Sequence, residues 1–191
     1  MEKRATVITY GCQINVNEIA KMKQMLQTMG YNITEDITES DLVLLNTCTV
    51  REGAASKVYS KLSNLRHLKE KKQGKMIIGV TGCLAQEVRD DFIKKTPYVD
   101  LVLGNQNIGR IPDLIERIEK GGETHIMAVD DEDELPERID ADFGDDIVAS
   151  ISITYGCNNY CTFCIVPYVR GMERSVPVHE VLKDVRQYTE N

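Results

Sequence analysis

The chain has 191 residues and a hydrophobic content of 42%, and no stretch approaches the roughly 18 consecutive apolar residues of a membrane span. We therefore expect a cytoplasmic protein with no membrane partner, in which the six cysteines stay reduced and act as metal ligands rather than as disulfides. The formal net charge of −7 hides an acidic run from Asp130 to Asp146 that alone contributes −9, so the charge does not exclude an RNA partner.

Residues 1–122 alternate short β-branched runs with longer segments of helical period, which is the pattern of a parallel sheet covered by helices. We predict an α/β fold with an open parallel sheet flanked by helices, built from four βα units. The predicted strands span residues 5–10, 41–46, 76–81 and 99–103. The third helix is predicted to run from about Leu84 until Pro97 ends it, and the fourth to begin near Pro112.

The remaining chain divides into a linker and a second structured part. Residues 123–146 contain the acidic run and are predicted to be a solvated linker between domains. Residues 147–154 alternate as a new strand, and apolar residues at helical spacing from Val178 to Tyr188 predict a last helix. We interpret residues 147–191 as the first βα unit of an incomplete barrel, because this length cannot enclose a barrel core.

A Cys-x3-Cys-x2-Cys run directly follows the predicted strand 147–154. Cys157, Cys161 and Cys164 place three thiolates on one short loop. A structural zinc site normally has four protein ligands, whereas a [4Fe–4S] cluster with three cysteine ligands leaves one iron open to an exogenous ligand. We therefore favour an iron–sulfur cluster. The alternatives are a zinc site completed by His179 or a remote ligand, and redox cysteines.

The other three cysteines each lie just past one of the first three predicted strands. Cys12, Cys48 and Cys83 are separated by 36 and 35 residues, which is one βα unit each. Because the carboxyl ends of parallel strands share one edge of the sheet, we expect these thiols to converge there. Strands about 4.8 Å apart would let the three thiolates hold a second cluster. The alternative is that each cysteine is an ordinary small buried residue.

Both cysteine sets lie in segments with a recognisable pattern. Residues 9–15 are TYGCQIN, residues 46–51 are NTCTVR, residues 82–86 are GCLAQ, and a run from Gly156-Cys157 to Arg170-Gly171 contains the cysteine loop. Together these segments resemble the methylthiotransferase family of radical S-adenosylmethionine (SAM) enzymes, and most closely its tRNA-modifying branch. Ile14 stands where a Met is more usual in that branch.

The resemblance implies an N-terminal methylthiotransferase domain in residues 1–122, the start of a radical SAM domain in residues 147–191, two [4Fe–4S] clusters and SAM. The implied ligands of the auxiliary cluster are Cys12, Cys48 and Cys83, and those of the radical SAM cluster are Cys157, Cys161 and Cys164. By the same resemblance, Phe163 would lie near the adenine of SAM. No catalytic side chain is assigned.

Arg170 and Arg174 follow the cysteine loop closely in the sequence. A guanidinium near a reaction site can contact a substrate phosphate, and we regard both residues as candidates for binding the substrate RNA. The alternative is that they pair with acidic side chains of the protein itself.

The implied activity is methylthiolation of tRNA, in which N6-isopentenyladenosine immediately 3′ of the anticodon becomes its 2-methylthio derivative. The implied partners are the tRNA and an electron donor such as flavodoxin or ferredoxin, and we expect a monomer. Family members continue through the rest of a partial barrel and an RNA-binding TRAM domain, so we expect these 191 residues alone to lack turnover. The alternatives are a threonylcarbamoyladenosine tRNA or a ribosomal protein as substrate, a redox or electron-transfer iron–sulfur protein, and a zinc-containing RNA-binding module.

Overall fold

The computed structural model of the chain describes residues 2–49, 53–121, 123–129 and 150–190. Its main feature is a six-stranded parallel sheet flanked by helices, which confirms the predicted α/β fold. The strands in chain order are β1 (Lys3–Tyr10), β2 (Tyr31–Ile33), β3 (Leu42–Thr47), β4 (Ile77–Gly82), β5 (Leu101–Leu103) and β6 (Ile126–Ala128). Their order across the sheet is β2-β1-β3-β4-β5-β6, so the order reverses beside β1.

Helices cover both faces of this sheet. They are α1 (Gln13–Thr28), α2 (Ala54–Lys71), α3 (Cys83–Val88), α4 (Asp90–Lys95) and α5 (Ile111–Glu119), with a 3-10 helix at Asn105–Arg110 before α5. Residues of α1 and α5 share one apolar core with alternate residues of the sheet, and residues of α2, α3 and α4 share the other. No helix in the described ranges is long and apolar enough to cross a membrane.

The central strand β3 shows why the sheet is buried on both faces. Leu42 and Leu44 pack into the core under α1 and α5, whereas Val43 and Leu45 pack into the core under α2. All four side chains are fully buried. A strand covered on both faces is a continuous apolar run rather than an alternating one, as the sequence of β3 is.

Two edge strands and one helix break differ from the sequence prediction. The sheet has six strands rather than four, because β2 and β6 add three-residue strands whose short sequences carry no usable period. Strand β6 lies inside the segment 123–146 assigned to the linker, and residues 130–146 of that segment lie outside the described residues. The predicted third helix is split into α3 and α4 because Arg89 has a φ of +48°.

Residues 150–190 contain two short strands and two helices: β7 (Thr154–Tyr155), α6 (Val166–Arg170), β8 (Arg174–Ser175) and α7 (Val178–Glu190). The predicted strand 147–154 is reduced to β7, since residues 150–153 form no strand and residues 147–149 lie outside the described residues. β7 pairs antiparallel with β8 rather than starting a parallel unit. After the cysteine loop and α6 the chain runs back alongside β7, so β8 provides the hydrogen-bond partners that the backbone of β7 needs. The predicted last helix is confirmed by α7.

Candidate metal centre

Three adjacent strands end at the same level of the sheet and deliver the first cysteine set. Tyr10 of β1 is in register with Thr47 of β3, which is in register with Gly82 of β4. Cys48 and Cys83 come directly after their strands, and Cys12 comes two residues after β1. The junction of β1 and β3 is also where the strand order reverses, the usual place for a ligand in an open α/β sheet.

Cys12, Cys48 and Cys83 line a common cavity of about 390 Å³. Cys48 and Cys83 are buried, Cys12 is half-buried, and all three are free thiols. The opposite wall comes from the second part of the chain, with residues 150–156 and parts of α6. The structure therefore brings these three thiols to one enclosed place, as their spacing predicts, and their role as ligands remains a prediction.

The arrangement of donors bears on which metal group fits this cavity. Among the described residues, no three cysteine, histidine or carboxylate side chains are close enough together to hold a single metal ion. A tetrahedral zinc ion draws all of its ligands onto one centre, whereas the irons of a cubane cluster lie at separate corners and accept one thiolate each. Cys12, Cys48 and Cys83 line one cavity, and thiolates are ligands of both kinds of metal group.

Gly82 shapes the backbone that presents Cys83. Its φ of +98° lies in the left-handed region, and a Cβ there would overlap the carbonyl oxygen of Thr47 and lie 2.8 Å from its nitrogen. Glycine meets both conditions without strain because it has no Cβ. The chain can therefore turn at once from β4 into α3, with Cys83 as the first residue of the helix.

A chain of polar side chains connects Cys12 to the opposite wall. The Cys12 thiol donates to Asn15 Oδ1 at 3.1 Å, and the Asn15 amide donates to Asn46 Oδ1. The Asn46 amide donates to Glu18 Oε2 at 3.1 Å, and Arg170 Nη1 donates to Glu18 Oε1 at 3.0 Å. Asn15 and Asn46 are fully buried, so each needs these partners to offset its lost hydration.

Cys83 lies beside two further polar groups. Asn105 Nδ2 lies 3.4 Å from Cys83 Sγ and 3.0 Å from the carbonyl oxygen of Val169, to both of which it donates. Burial raises the pKa of the Cys83 thiol, while the guanidinium of Arg170 acts in the opposite direction. Burial alone would lower the pKa of Arg170, but Glu18 and then Cys83 outweigh this effect and raise the pKa above its ordinary value.

The second cysteine set lies on the loop between β7 and α6. Cys161 is exposed, and Cys157 and Cys164 are half-buried. The loop is held by hydrogen bonds from Cys157 N to Gly171 O at 3.2 Å and from Cys164 N to Cys161 O at 2.9 Å. None of these three thiols lines the cavity of the first set.

The other predicted site residues fall in different surroundings. Phe163 is 90% exposed on the cysteine loop, so its place beside SAM remains a prediction. Arg170 was expected at the substrate RNA, but its side chain is only 11% exposed and pairs with Glu18, which is the alternative role considered for it. Arg174 Nη2 donates to the carbonyl oxygen of Arg170 at 3.3 Å and lines a smaller neighbouring cavity.

Sequence reasoning missed the polar residues around the first cysteine set: Asn15, Glu18, Asn46 and Asn105. One signal was available, because Asn46 interrupts the apolar run of a doubly buried strand. A second signal was the spacing of Asn15 and Glu18, which places both on one face of α1. Their partners lie far away in sequence and could not be found by local pattern.

Three side-chain amides attach the second part of the chain to the sheet edge. Asn17 donates to Ser150 O at 3.2 Å, Asn105 to Val169 O at 3.0 Å, and Gln106 to Arg170 O at 3.4 Å. These bonds, together with the buried pair of Glu18 and Arg170, form the interface that closes the cavity.

The fold and the edge cavity define an α/β protein with three thiols in one cavity at the edge of its parallel sheet. Residues 4–104 match the family described as "Uncharacterized protein family UPF0004". The chain belongs to this family.

Curated relatives match nearly the whole chain, and those cited here are named tRNA-2-methylthio-N(6)-dimethylallyladenosine synthase. The relative from Fusobacterium nucleatum is 62% identical over 97% of the chain, and the match covers 42% of that relative. Relatives from Dictyoglomus thermophilum and Caldicellulosiruptor saccharolyticus are each 41% identical, over 94% and 97% of the chain and 40% of their own lengths. The chain thus spans about two fifths of the curated relatives it matches.

Proposed function

We propose that this chain is the iron–sulfur part of an enzyme that methylthiolates tRNA. The substrate would be N6-isopentenyladenosine next to the anticodon and the product its 2-methylthio derivative, as the names of the relatives support. The observation that carries the proposal is the cavity lined by Cys12, Cys48 and Cys83, because three thiols in one cavity supply the ligands for a cluster whose fourth iron stays open to an exogenous ligand.

We assign one [4Fe–4S] cluster to each cysteine set. Cys12, Cys48 and Cys83 would hold the auxiliary cluster, and the exposed loop would hold the cluster that binds SAM. A cluster with three protein ligands supplies an open iron for an exogenous ligand. The protein contributes burial, since Cys48 and Cys83 are almost fully buried, and orientation, since the Asn105 amide donates to the sulfur of Cys83 and can do so to a thiolate as well.

Exposed aromatic side chains surround the second cysteine set and suit a surface that binds SAM, RNA and an electron donor. Phe163 and Tyr168 are exposed, and Tyr168 meets Tyr160 edge-on with ring centroids 5.9 Å apart. Aromatic side chains of this kind stack on bases and on adenine. We propose that Phe163 contacts the adenine of SAM, that Arg174 lies near the RNA, and that a flavodoxin or ferredoxin reduces the cluster from the same side. A monomer in the cytoplasm would meet these requirements.

The substrate is tested most directly with a chimera. In it, this chain replaces the matching 42% of the Fusobacterium nucleatum relative, and tRNA from cells lacking such an enzyme is digested and analysed by mass spectrometry. We expect 2-methylthio-N6-isopentenyladenosine from the chimera and none after Cys48→Ala. Methylthiolation of threonylcarbamoyladenosine or of a ribosomal protein, in place of isopentenyladenosine, would show that one of these is the substrate instead. Clusters without any SAM cleavage would support an electron-transfer protein instead.

A further inference from the structure

Arg170 brings a positive charge to the cavity that Cys12, Cys48 and Cys83 line. Among the described residues of the cavity wall it is the one charged side chain, and the others are thiol, amide, hydroxyl, backbone or apolar groups. Its Nη1 atom donates to Glu18 at 3.0 Å. Its Nη2 atom is buried and has no hydrogen-bond partner by distance among the described residues, and the guanidinium also interacts with the thiol of Cys83.

The negative partner of Arg170 lies outside this cavity. Glu18 lines the smaller neighbouring cavity and not the one with the cysteines, whereas Arg170 lines both. The ion pair therefore presents its cationic half to the cysteines. Because the effective dielectric constant inside a protein is low, the guanidinium acts on any anion that enters, although its pair with Glu18 offsets part of its charge.

We propose that Arg170 is a positioning residue that draws a small sulfur anion, such as hydrosulfide or a thiolate, into the cysteine cavity. This rests on the proposed function, because a methylthio group requires a reduced sulfur atom, and reduced sulfur is readily anionic near neutral pH. A guanidinium suits such a ligand because it stays protonated and offers several N–H donors in one plane.

A purely structural role for Arg170 makes a different prediction. If the ion pair only holds the second part of the chain on the sheet, removing either partner breaks the same contact and has the same effect. If the guanidinium attracts anions, Arg170→Gln weakens the attraction, whereas Glu18→Gln strengthens it by removing a compensating charge. Opposite signs for the two variants therefore separate the roles.

The first test uses the metal-free protein and two alkylating reagents of similar size. Iodoacetate is an anion and iodoacetamide is neutral. The rate of Cys83 alkylation by iodoacetate divided by the rate by iodoacetamide therefore reports the charge of the cavity. Because both reagents need the same access to the thiol, a change in accessibility alters both rates alike and leaves this ratio unchanged. Peptide mass spectrometry gives both rates. We expect Arg170→Gln to lower the ratio about tenfold, Arg170→Lys to keep most of it, and Glu18→Gln to raise it. Lys21→Gln, which removes a cation outside the cavity, is the matched control and should stay within about twofold.

A ratio that changes less than about twofold in Arg170→Gln, or that moves in the same direction in Glu18→Gln, would overturn the proposal. If Arg170→Gln does not fold, the sign of the Glu18→Gln effect decides alone.

The second test keeps the proposal separate from the proposed function. The protein with Cys157, Cys161 and Cys164 changed to alanine is reconstituted with iron and sulfide, and its reduced cluster is titrated with sodium hydrosulfide by electron paramagnetic resonance. We expect Arg170→Gln to keep about four irons and to need about tenfold more hydrosulfide for the same spectral change. Unchanged hydrosulfide binding would contradict the role of Arg170 alone, whereas absence of any cluster before that substitution would contradict the proposed function.

Discussion

At the scale of single residues, the backbone at Gly82 determines where Cys83 points. The positive φ and the close approach to Thr47 act together at this position, since a side chain would be strained by the first and blocked by the second. Gly30 also has a positive φ, but nothing lies within 4 Å of the Cβ it would carry. A side chain at Gly30 would meet only the unfavourable φ, whereas a side chain at Gly82 would meet both the unfavourable φ and the overlap with Thr47. Comparing the two positions therefore separates backbone strain from steric overlap.

We expect Gly82→Ala to lower the free energy of unfolding by about 3 kcal/mol or more, because strain and overlap with Thr47 add. Gly30→Ala should cost only about 1 kcal/mol, since only the φ is unfavourable there. Urea unfolding of both variants measures the difference. Equal losses would show that the backbone at Gly82 relaxes and that the close contact has no consequence.

A pH effect is expected at Tyr31, whose hydroxyl donates to Glu119 Oε1 at 2.5 Å. Burial, and then the bond to Glu119, raises the pKa of Tyr31 above its ordinary value. The folded state therefore keeps this proton more firmly than the unfolded state, whose tyrosines titrate near about pH 10. This stabilisation is complete below that pH and is lost as the pH rises above it.

Thermal unfolding followed at a series of pH values tests this linkage. Above about pH 10, the melting temperature of the unchanged protein should fall more steeply with pH than that of Tyr31→Phe, which has no proton to lose. Curves that run parallel through this range would contradict the role given to Tyr31.

At the scale of elements, one buried ion pair joins α2 to the start of β5. Lys69 Nζ lies 2.5 Å from both carboxylate oxygens of Asp100, and both side chains are largely buried. Asp100 also accepts from the backbone nitrogen of Ile78 at 2.7 Å. The carboxylate thus connects a helix with two strands, and its removal leaves a buried ammonium group without its partner.

Asp100→Ala should destabilise the protein by about 4 kcal/mol, because breaking one half of a buried pair exposes the full cost of the other charge. Asp91→Ala is the matched control, since its pair with Lys94 is exposed on both sides and should change nothing measurable. Chemical unfolding compares the two. A small effect at Asp100 would mean that water reaches Lys69 in the variant.

The elements also show what the sequence could and could not predict. The bounds of β3 and β4 agree with the prediction to within one residue at each end, because both are apolar runs buried on two faces. The three-residue edge strands β2 and β6 were missed because they are too short for a period. The break at Arg89 could not be foreseen, since a positive φ at arginine follows from tertiary packing and not from its propensity.

The same distinction applies to the candidate site. The convergence of Cys12, Cys48 and Cys83 follows from their regular spacing in a parallel sheet and was predicted. The pair of Glu18 and Arg170 joins residues 152 positions apart, and no local pattern encodes such a contact.

At the scale of the whole molecule, the cavity is closed by three amides and one ion pair. Asn105 and Gln106 donate to carbonyl oxygens of α6, so removing them should loosen the second part of the chain without unfolding the sheet. We expect trypsin to cleave after Arg170 about tenfold faster in Asn105→Ala/Gln106→Ala, since a looser segment opens more often. Asn32→Ala, which removes an exposed amide bonded to Glu2, is the control and should leave cleavage unchanged. Equal rates in all three proteins would mean that other contacts hold this segment.

The central claim is that the two cysteine sets hold two separate clusters. It is tested by anaerobic reconstitution with iron and sulfide, followed by counting both elements in the protein and in two triple alanine variants, one for each cysteine set. We predict about eight irons in the unchanged protein and about four in either variant, since each set would hold one cubane. About four irons that survive loss of Cys12, Cys48 and Cys83, and vanish with loss of the other set, would contradict the claim.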